Sequence, residues 1–284
     1  MGNVTYKNYI NGAWVESTSG RTVPNLNPAN TNEVLGHAPA STREEAQAAI
    51  RAAHEAFPAW RATAAPARGR IIYQAMELMI QRKEELATML THEEGKLLSE
   101  ARGEVQRSIN ILEYMAGEGR RMPGETVPSE LPNTFCYTVR EPLGVVALIT
   151  PWNFPVAIPV WKIAPALVAG NTAIFKPASL TPGTAQMVVK IFEDAGLPRG
   201  VLNMVIGSGG TVGDELVNNP AVRAVSFTGS NDIGSKLYDQ VAARGCRAQC
   251  EMGGKNPVVV MEDCDFNLAV EGTVQGAFGS TGQR

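Results

Sequence analysis

The chain has 284 residues, 44% of them hydrophobic, and a formal net charge of −3 from 25 basic and 28 acidic side chains. That length is enough for a large core and more than one domain, since domains commonly run about 100 to 200 residues. The charges are dispersed, with no run of five of one sign, which removes the attraction expected of a nucleic-acid partner or an anionic membrane surface.

The opening MGNVTYKNYI holds no apolar leader, and Tyr6 stands where a myristoylation signal requires Ser or Thr, so a cytoplasmic protein is expected. Asn8 to Val15 and Arg21 to Asn27 predict short strands, the first pair turning at Asn11-Gly12. Ser41-Thr42-Arg43-Glu44 reads as a capping box, and Ala46, Ile50, Ala53 and Phe57 follow it at helical spacing. Two more apolar stripes, Ile72 to Leu90 and Val105 to Leu112, predict scaffold helices. Between Met122 and Pro142 the chain turns Pro-rich, and Phe135, Tyr137 and Val139 alternate as an exposed or edge strand would, which suggests an arm.

From Gly144 the rhythm is strand, loop, helix, repeated. GVVALIT is a continuous apolar run suited to a buried parallel strand, and VWKIAPALVAG is compatible with a helix after it. NTAIFKP predicts the next strand, with a helix from about Pro182 to Ala195. LNMVIG precedes a helix over Val212 to Asn218, and AVSFTG one over Asn231 to Ala243. RAQCEMG and NPVVVM predict two further strands before a helix near Phe266. Prolines break the longest apolar stretch, Leu143 to Val160, which excludes it as a membrane span. The alternation predicts an α/β fold, a doubly wound parallel sheet with helices on both faces. Cys136, Cys246, Cys250 and Cys264 lack metal-ligand spacing and read as small core residues; no metal site or disulfide framework is expected.

Ligand sites in such sheets gather at the carboxyl ends of the strands. The loops there are TPWNFP (150–155), FKPAS (175–179), GSGGTVG (207–213), FTGS (227–230) and EMGGKNP (251–257). Singly each is weak. Asn153 could bond its own turn, Lys176 could be a snorkelling strand-end lysine, and Gly207, Gly209 and Gly213 miss the dinucleotide fingerprint by one residue. Glu251 is less easily set aside, because a carboxylate ending an apolar strand is costly to bury without a purpose.

Together and in order, these segments resemble the aldehyde dehydrogenase superfamily, nearest its 2-oxoglutarate and succinate semialdehyde dehydrogenase branch. The resemblance runs from NGAWV through LTHEEGK and REPLGVVALITPWNFP to EMGGKNP and the closing GAFGSTGQR. It implies a Rossmann-like cofactor domain over 1–121 and 143–252, a β oligomerisation arm over 122–142, and the beginning of a catalytic domain over 253–284. It also implies a catalytic cysteine directly after Arg284, so that residues 1–284 alone would be inactive. The reaction implied is NAD(P)-dependent oxidation of an aldehyde through a cysteine thiohemiacetal and thioester. Asn153 matches the oxyanion donor and Glu251 the general base for the hydrolytic water. Thr150, Trp152, Asn153, Lys176, Ser179, Gly229, Ser230 and Met252 match cofactor contacts, with Lys176 at the adenosine ribose and Gly229-Ser230 at the pyrophosphate.

Ser179 stands where NAD-specific members often carry Glu, so NADP is the expected cofactor, with NAD tolerated. Arg284 is a candidate partner for a distal substrate carboxylate, and Trp161, where some succinate semialdehyde enzymes carry Arg, favours the oxoglutarate analogue. The expected partners are a small aldehyde and further copies of the chain, as a homodimer or homotetramer. The competing expectation is a non-catalytic protein that keeps the cofactor fold for binding or structure.

Overall fold

A computed structural model describes residues 4–283 of the chain. Strands β1 (Asn8–Ile10) and β2 (Ala13–Val15) form a hairpin whose turn residues Asn11 and Gly12 are both left-handed, the geometry of a two-residue hairpin loop. β3 (Thr22–Asn27) pairs antiparallel with β4 (Asn30–Pro39) in a separate two-stranded sheet. Four helices follow: α1 (Arg43–Ala62), α2 (Ala65–Gln81), α3 (Lys83–Glu94) and α4 (Leu98–Glu118).

The capping box of α1 lies one residue later than expected. Thr42 is the N-cap and Glu45 its reciprocal partner, because the hydroxyl of Ser41 is buried against Asn8, whose Nδ2 donates to it at 2.8 Å. β5 (Thr126–Val127) and β6 (Cys136–Tyr137) make a small antiparallel ribbon, and Phe135, Tyr137 and Val139 are exposed along it.

The remaining elements alternate as β7 (Val145–Ile149), α5 (Ala157–Val168), β8 (Thr172–Lys176), α6 (Pro182–Asp194), β9 (Leu202–Met204), α7 (Asp214–Asn218), β10 (Val222–Gly229), α8 (Asn231–Ala243), β11 (Arg247–Met252) and α9 (Phe266–Phe278). A wide helical turn over Gly209–Gly213 leads into α7. The seven-stranded sheet runs β11-β10-β7-β8-β9-β1-β2, parallel from β11 to β9 and closed at one edge by the antiparallel hairpin. β7 is buried on both faces. Val146 and Leu148 enter the larger core with α2 to α6, while Val145, Ala147 and Ile149 enter the second core with α1, α7 and α8.

NPVVVM is not a strand. Val258, Val259, Val260 and Met261 are exposed, and no neighbouring strand among the described residues offers the ladder that an isolated strand needs. The cysteines are less buried than expected: Cys246 and Cys250 are half-buried beside the second core, Cys136 is half-buried and Cys264 exposed.

Candidate active site

The chain leaves β7 in one direction through β8 and β9, then crosses back to lay β10 on the other side of β7. That reversal opens a crevice at the carboxyl ends of β7 and β10, the position where doubly wound sheets bind ligands. A cavity of about 490 Å³ lies there. Trp152, Asn153, Gly229, Ser230, Glu251 and Met252 line it, bringing six of the expected residues together from three strand ends.

Asn153 follows β7, with its side-chain Nδ2 donating to the main-chain oxygen of Gln283 at 3.4 Å. Its Oδ1 is buried without a hydrogen-bond partner. Ser230 caps α8 but makes no capping bond through its hydroxyl, so first-turn N–H groups and the positive helix end remain available to an anion. Met252 folds back onto α8, and Gly234 makes room for it: a Cβ there would lie 2.6 Å from the Met252 sulfur.

Glu251 is exposed, contrary to the expectation that it is buried, because it lies on β11, the edge strand of the sheet. Its Oε1 accepts from Gln249 Nε2 at 2.8 Å. Gln249 contacts Ser226, and Ser226 Oγ accepts from Lys162 Nζ at 2.7 Å. Burial pushes the Lys162 ammonium down to about 8, against the opposing charge of Glu251. Glu251 and Cys250 point to opposite sides of β11; the Cys250 thiol lies 3.7 Å from the carbonyl of Gly234 on α8.

Thr150, Lys176 and Ser179 form a second group beside the crevice. The Thr150 N–H donates to the Lys176 carbonyl at 3.2 Å. Lys176 is buried, its Nζ donating to the Pro177 carbonyl at 3.0 Å, and burial pushes its pKa down to about 8. Ser179 Oγ donates to the Gly207 carbonyl at 3.4 Å, so the side chain faces the Gly-rich turn before α7. Arg284 lies outside the described residues.

The sequence reading passed over several charged residues at the site. A second cavity, about 710 Å³, lies on the other side of Glu251, and its ionisable lining is Arg107, Lys162, Arg247 and Glu251. The Arg107 guanidinium sits over the Trp161 ring, 5.5 Å from its centroid. Beneath the Asn153 loop, Lys96, Glu94 and Glu104 form a buried cluster. In the sequence Glu94 and Lys96 show only as part of a dense HEEGK run that closes α3.

A family model described as the aldehyde dehydrogenase family matches residues 14–284. The chain is 50% identical over 280 residues to an alpha-ketoglutaric semialdehyde dehydrogenase of Bacillus subtilis (strain 168), covering 99% of this chain and 57% of that protein. It is 48% identical over 277 residues to an alpha-ketoglutarate semialdehyde dehydrogenase of Haloferax volcanii, covering 98% of this chain and 58% of that protein. Among solved structures, a crystal structure of an E. coli NADP dependent enzyme superposes with a TM-score of 0.94 at 41% identity, over 99% of this chain and 58% of that one. A 3,6-anhydro-L-galactose dehydrogenase in complex with NAP superposes at 0.93 with 37% identity, over 99% and 59%. The chain thus spans a little under three-fifths of these relatives' own lengths.

Proposed function

Because the chain belongs to the aldehyde dehydrogenase family, we propose that the whole protein carrying it oxidises a carboxylate-bearing semialdehyde to the acid, with NADP as preferred hydride acceptor and NAD tolerated. The observation that carries this reading is the convergence of Asn153, Glu251 and the N-terminus of α8 on one crevice at the sheet's reversal point.

The residues fit a dinucleotide: an uncapped helix terminus for the pyrophosphate, Lys176 and Ser179 for the ribose end, and Met252 and Trp152 for the nicotinamide end. The bound cofactor supplies the acceptor for the hydride that leaves the substrate carbon. Asn153 supplies its amide N–H to the oxyanion raised when a thiolate adds to the aldehyde carbonyl, where a fixed donor works best. Glu251 takes a proton from the water that hydrolyses the thioester, returning the thiolate and releasing the acid. Its exposed position on β11 leaves it free to meet that water.

The attacking thiol belongs to the longer protein, since none of Cys136, Cys246, Cys250 and Cys264 lines the crevice. By the same reading, residues 1–284 alone form no NADPH from aldehyde. Residues 1–121 and 143–252 act as the cofactor domain, 253–284 open the catalytic domain, and the β5–β6 ribbon with its exposed aromatics supports assembly into a dimer or tetramer.

Two features support the substrate class. Relatives are named for 2-oxoglutarate, glutarate and succinate semialdehydes. The larger cavity beside Glu251 also carries three cationic side chains against one carboxylate. The test is NADPH formation by the intact protein from 2-oxoglutarate semialdehyde and from propanal. A higher kcat/KM for the semialdehyde is expected; preference for propanal overturns the substrate class, and no reduction with either overturns the reaction.

A further inference from the structure

α3 ends at Gly95, which is left-handed (φ 85°), and this sharp turn points the next side chain, Lys96, back into the protein. Lys96 is 1% exposed. Its ammonium donates to Glu104 Oε2 at 2.5 Å and to the main-chain oxygen of Asn153 at 2.8 Å, and it lies 4.2 Å from the centroid of the Phe154 ring. Glu104 Oε1 accepts from the N–H groups of Val156 and Ala157 at 2.9 and 3.1 Å. One buried pair therefore grips the 153–157 segment at three main-chain atoms.

The cluster also reaches the turn after α9. Glu94 lies 3.8 Å from Lys96 through Oε2 and accepts from Thr281 Oγ1 at 2.8 Å through Oε1. Glu100, at the start of α4, accepts from the Ser280 N–H at 3.0 Å. Ser280 and Thr281 are both left-handed, with φ of 49° and 57°, a costly conformation that persists only where the surroundings impose it. Gln283, whose carbonyl meets the Asn153 amide, follows after Gly282.

A buried ion pair is a poor stabiliser, because desolvation offsets most of its attraction. Its place here is better accounted for by what it holds. We propose that Lys96, with Glu104 and Glu94, is a positioning residue for the reaction: it fixes the Asn153 main chain, registers it against the 280–283 turn, and so aims the Asn153 amide at the developing oxyanion. This rests on the reading of Asn153 as the oxyanion donor.

The test has two arms, both on the intact protein. In rapid mixing, Lys96→Met lowers the first-turnover rate of NADPH formation by roughly 10- to 10²-fold, the scale of a misplaced catalytic group. NADP affinity stays within about twofold, since the pyrophosphate and ribose contacts, at the N-terminus of α8 and at Lys176 and Ser179, are elsewhere. In an Asn153→Ala background the same substitution changes the rate by less than about twofold, because its target is already gone. Effects that simply multiply in the double variant overturn the proposal. Glu104→Gln keeps an acceptor for Val156 and Ala157 and turns an amide donor toward Lys96; it is read by the same cycle if Lys96→Met does not fold.

In the second arm, hydrogen exchange needs no substrate. Lys96→Met accelerates exchange over 153–157, and Thr281→Ala, which leaves Glu94 its 3.8 Å approach to Lys96, accelerates it over 279–283. Unchanged exchange in these segments overturns the linkage. A wild type that forms no NADPH while these exchange effects appear removes the dehydrogenase reading and leaves the linkage standing.

Discussion

The side-chain amide of Asn153 donates to the main-chain oxygen of Gln283 at 3.4 Å, tying the loop after the central strand to the turn after α9. The same amide is the one assigned to the oxyanion, and Glu251 lines the same crevice. Their roles separate kinetically. In the intact protein Asn153→Ala should slow the first turnover by roughly 10²-fold or more. Glu251→Gln should lower steady-state turnover by about 10²- to 10⁴-fold while leaving one equivalent of NADPH per site at near-normal rate. Full steady-state activity in Glu251→Gln would remove Glu251 from the hydrolytic step.

Lys176 gives a pH signature. Burial holds its folded-state pKa near 8, below the ordinary 10.5, so it is charged below pH 8 and loses its proton above. NADP affinity should therefore fall as pH rises through and beyond about 8, and Lys176→Met should bind more weakly below pH 8 with this dependence flattened. For folding the sign is opposite. The unfolded chain holds the proton more tightly, so this group makes stability rise from about pH 8 towards 10.5. Titration calorimetry across pH 7 to 10 reads the first effect and denaturant unfolding the second. An NADP affinity flat over that range would detach Lys176 from the cofactor.

Ser179 faces the Gly207 carbonyl with a small hydroxyl and no negative charge. NADP should bind at least as tightly as NAD, and Ser179→Glu should weaken NADP by about tenfold or more through repulsion of the 2′-phosphate while sparing NAD. Dissociation constants for both cofactors check this, and wild-type NAD binding more than about tenfold tighter than NADP would contradict it.

Arg107, resting on the Trp161 ring, lines the larger cavity and is exposed. Arg107→Met should reduce kcat/KM for 2-oxoglutarate semialdehyde by roughly 10-fold, about the loss of one charge-assisted contact, and leave propanal oxidation within about twofold. Equal losses on both aldehydes would mean that Arg107 does not read the carboxylate.

Much of the fold could be read from local pattern. The strand at Val145–Ile149 shows as an unbroken apolar run because both its faces are buried, and α8 begins and ends where its pattern does. β4 does not show in the sequence because it opens on the polar run Asn30 to Glu33, exposed through Asn32, so no alternation shows until Val34. NPVVVM has the composition of a strand but lacks a partner among the described residues, and pairing is not a local property. The crevice residues were legible as polar breaks at strand ends. Lys96 and Glu104 were not, since eight residues of sequence separate them and only folding reveals that both end beneath Asn153.

The sheet's reversal has a consequence for the order of assembly. β10 meets β7 with Phe227 opposite Ile149, and α5, β8, α6, β9 and α7 intervene. Closing so long a segment is entropically slow compared with the local helix pairs, and until it closes the central strand has a bare edge. Dinucleotide recognition is thus a property of the finished sheet. In refolding, recovery of NADPH binding, read by the change in its nicotinamide fluorescence, should lag recovery of helical circular dichroism, and a cofactor signal appearing in step with the helices would show that β10 docks early.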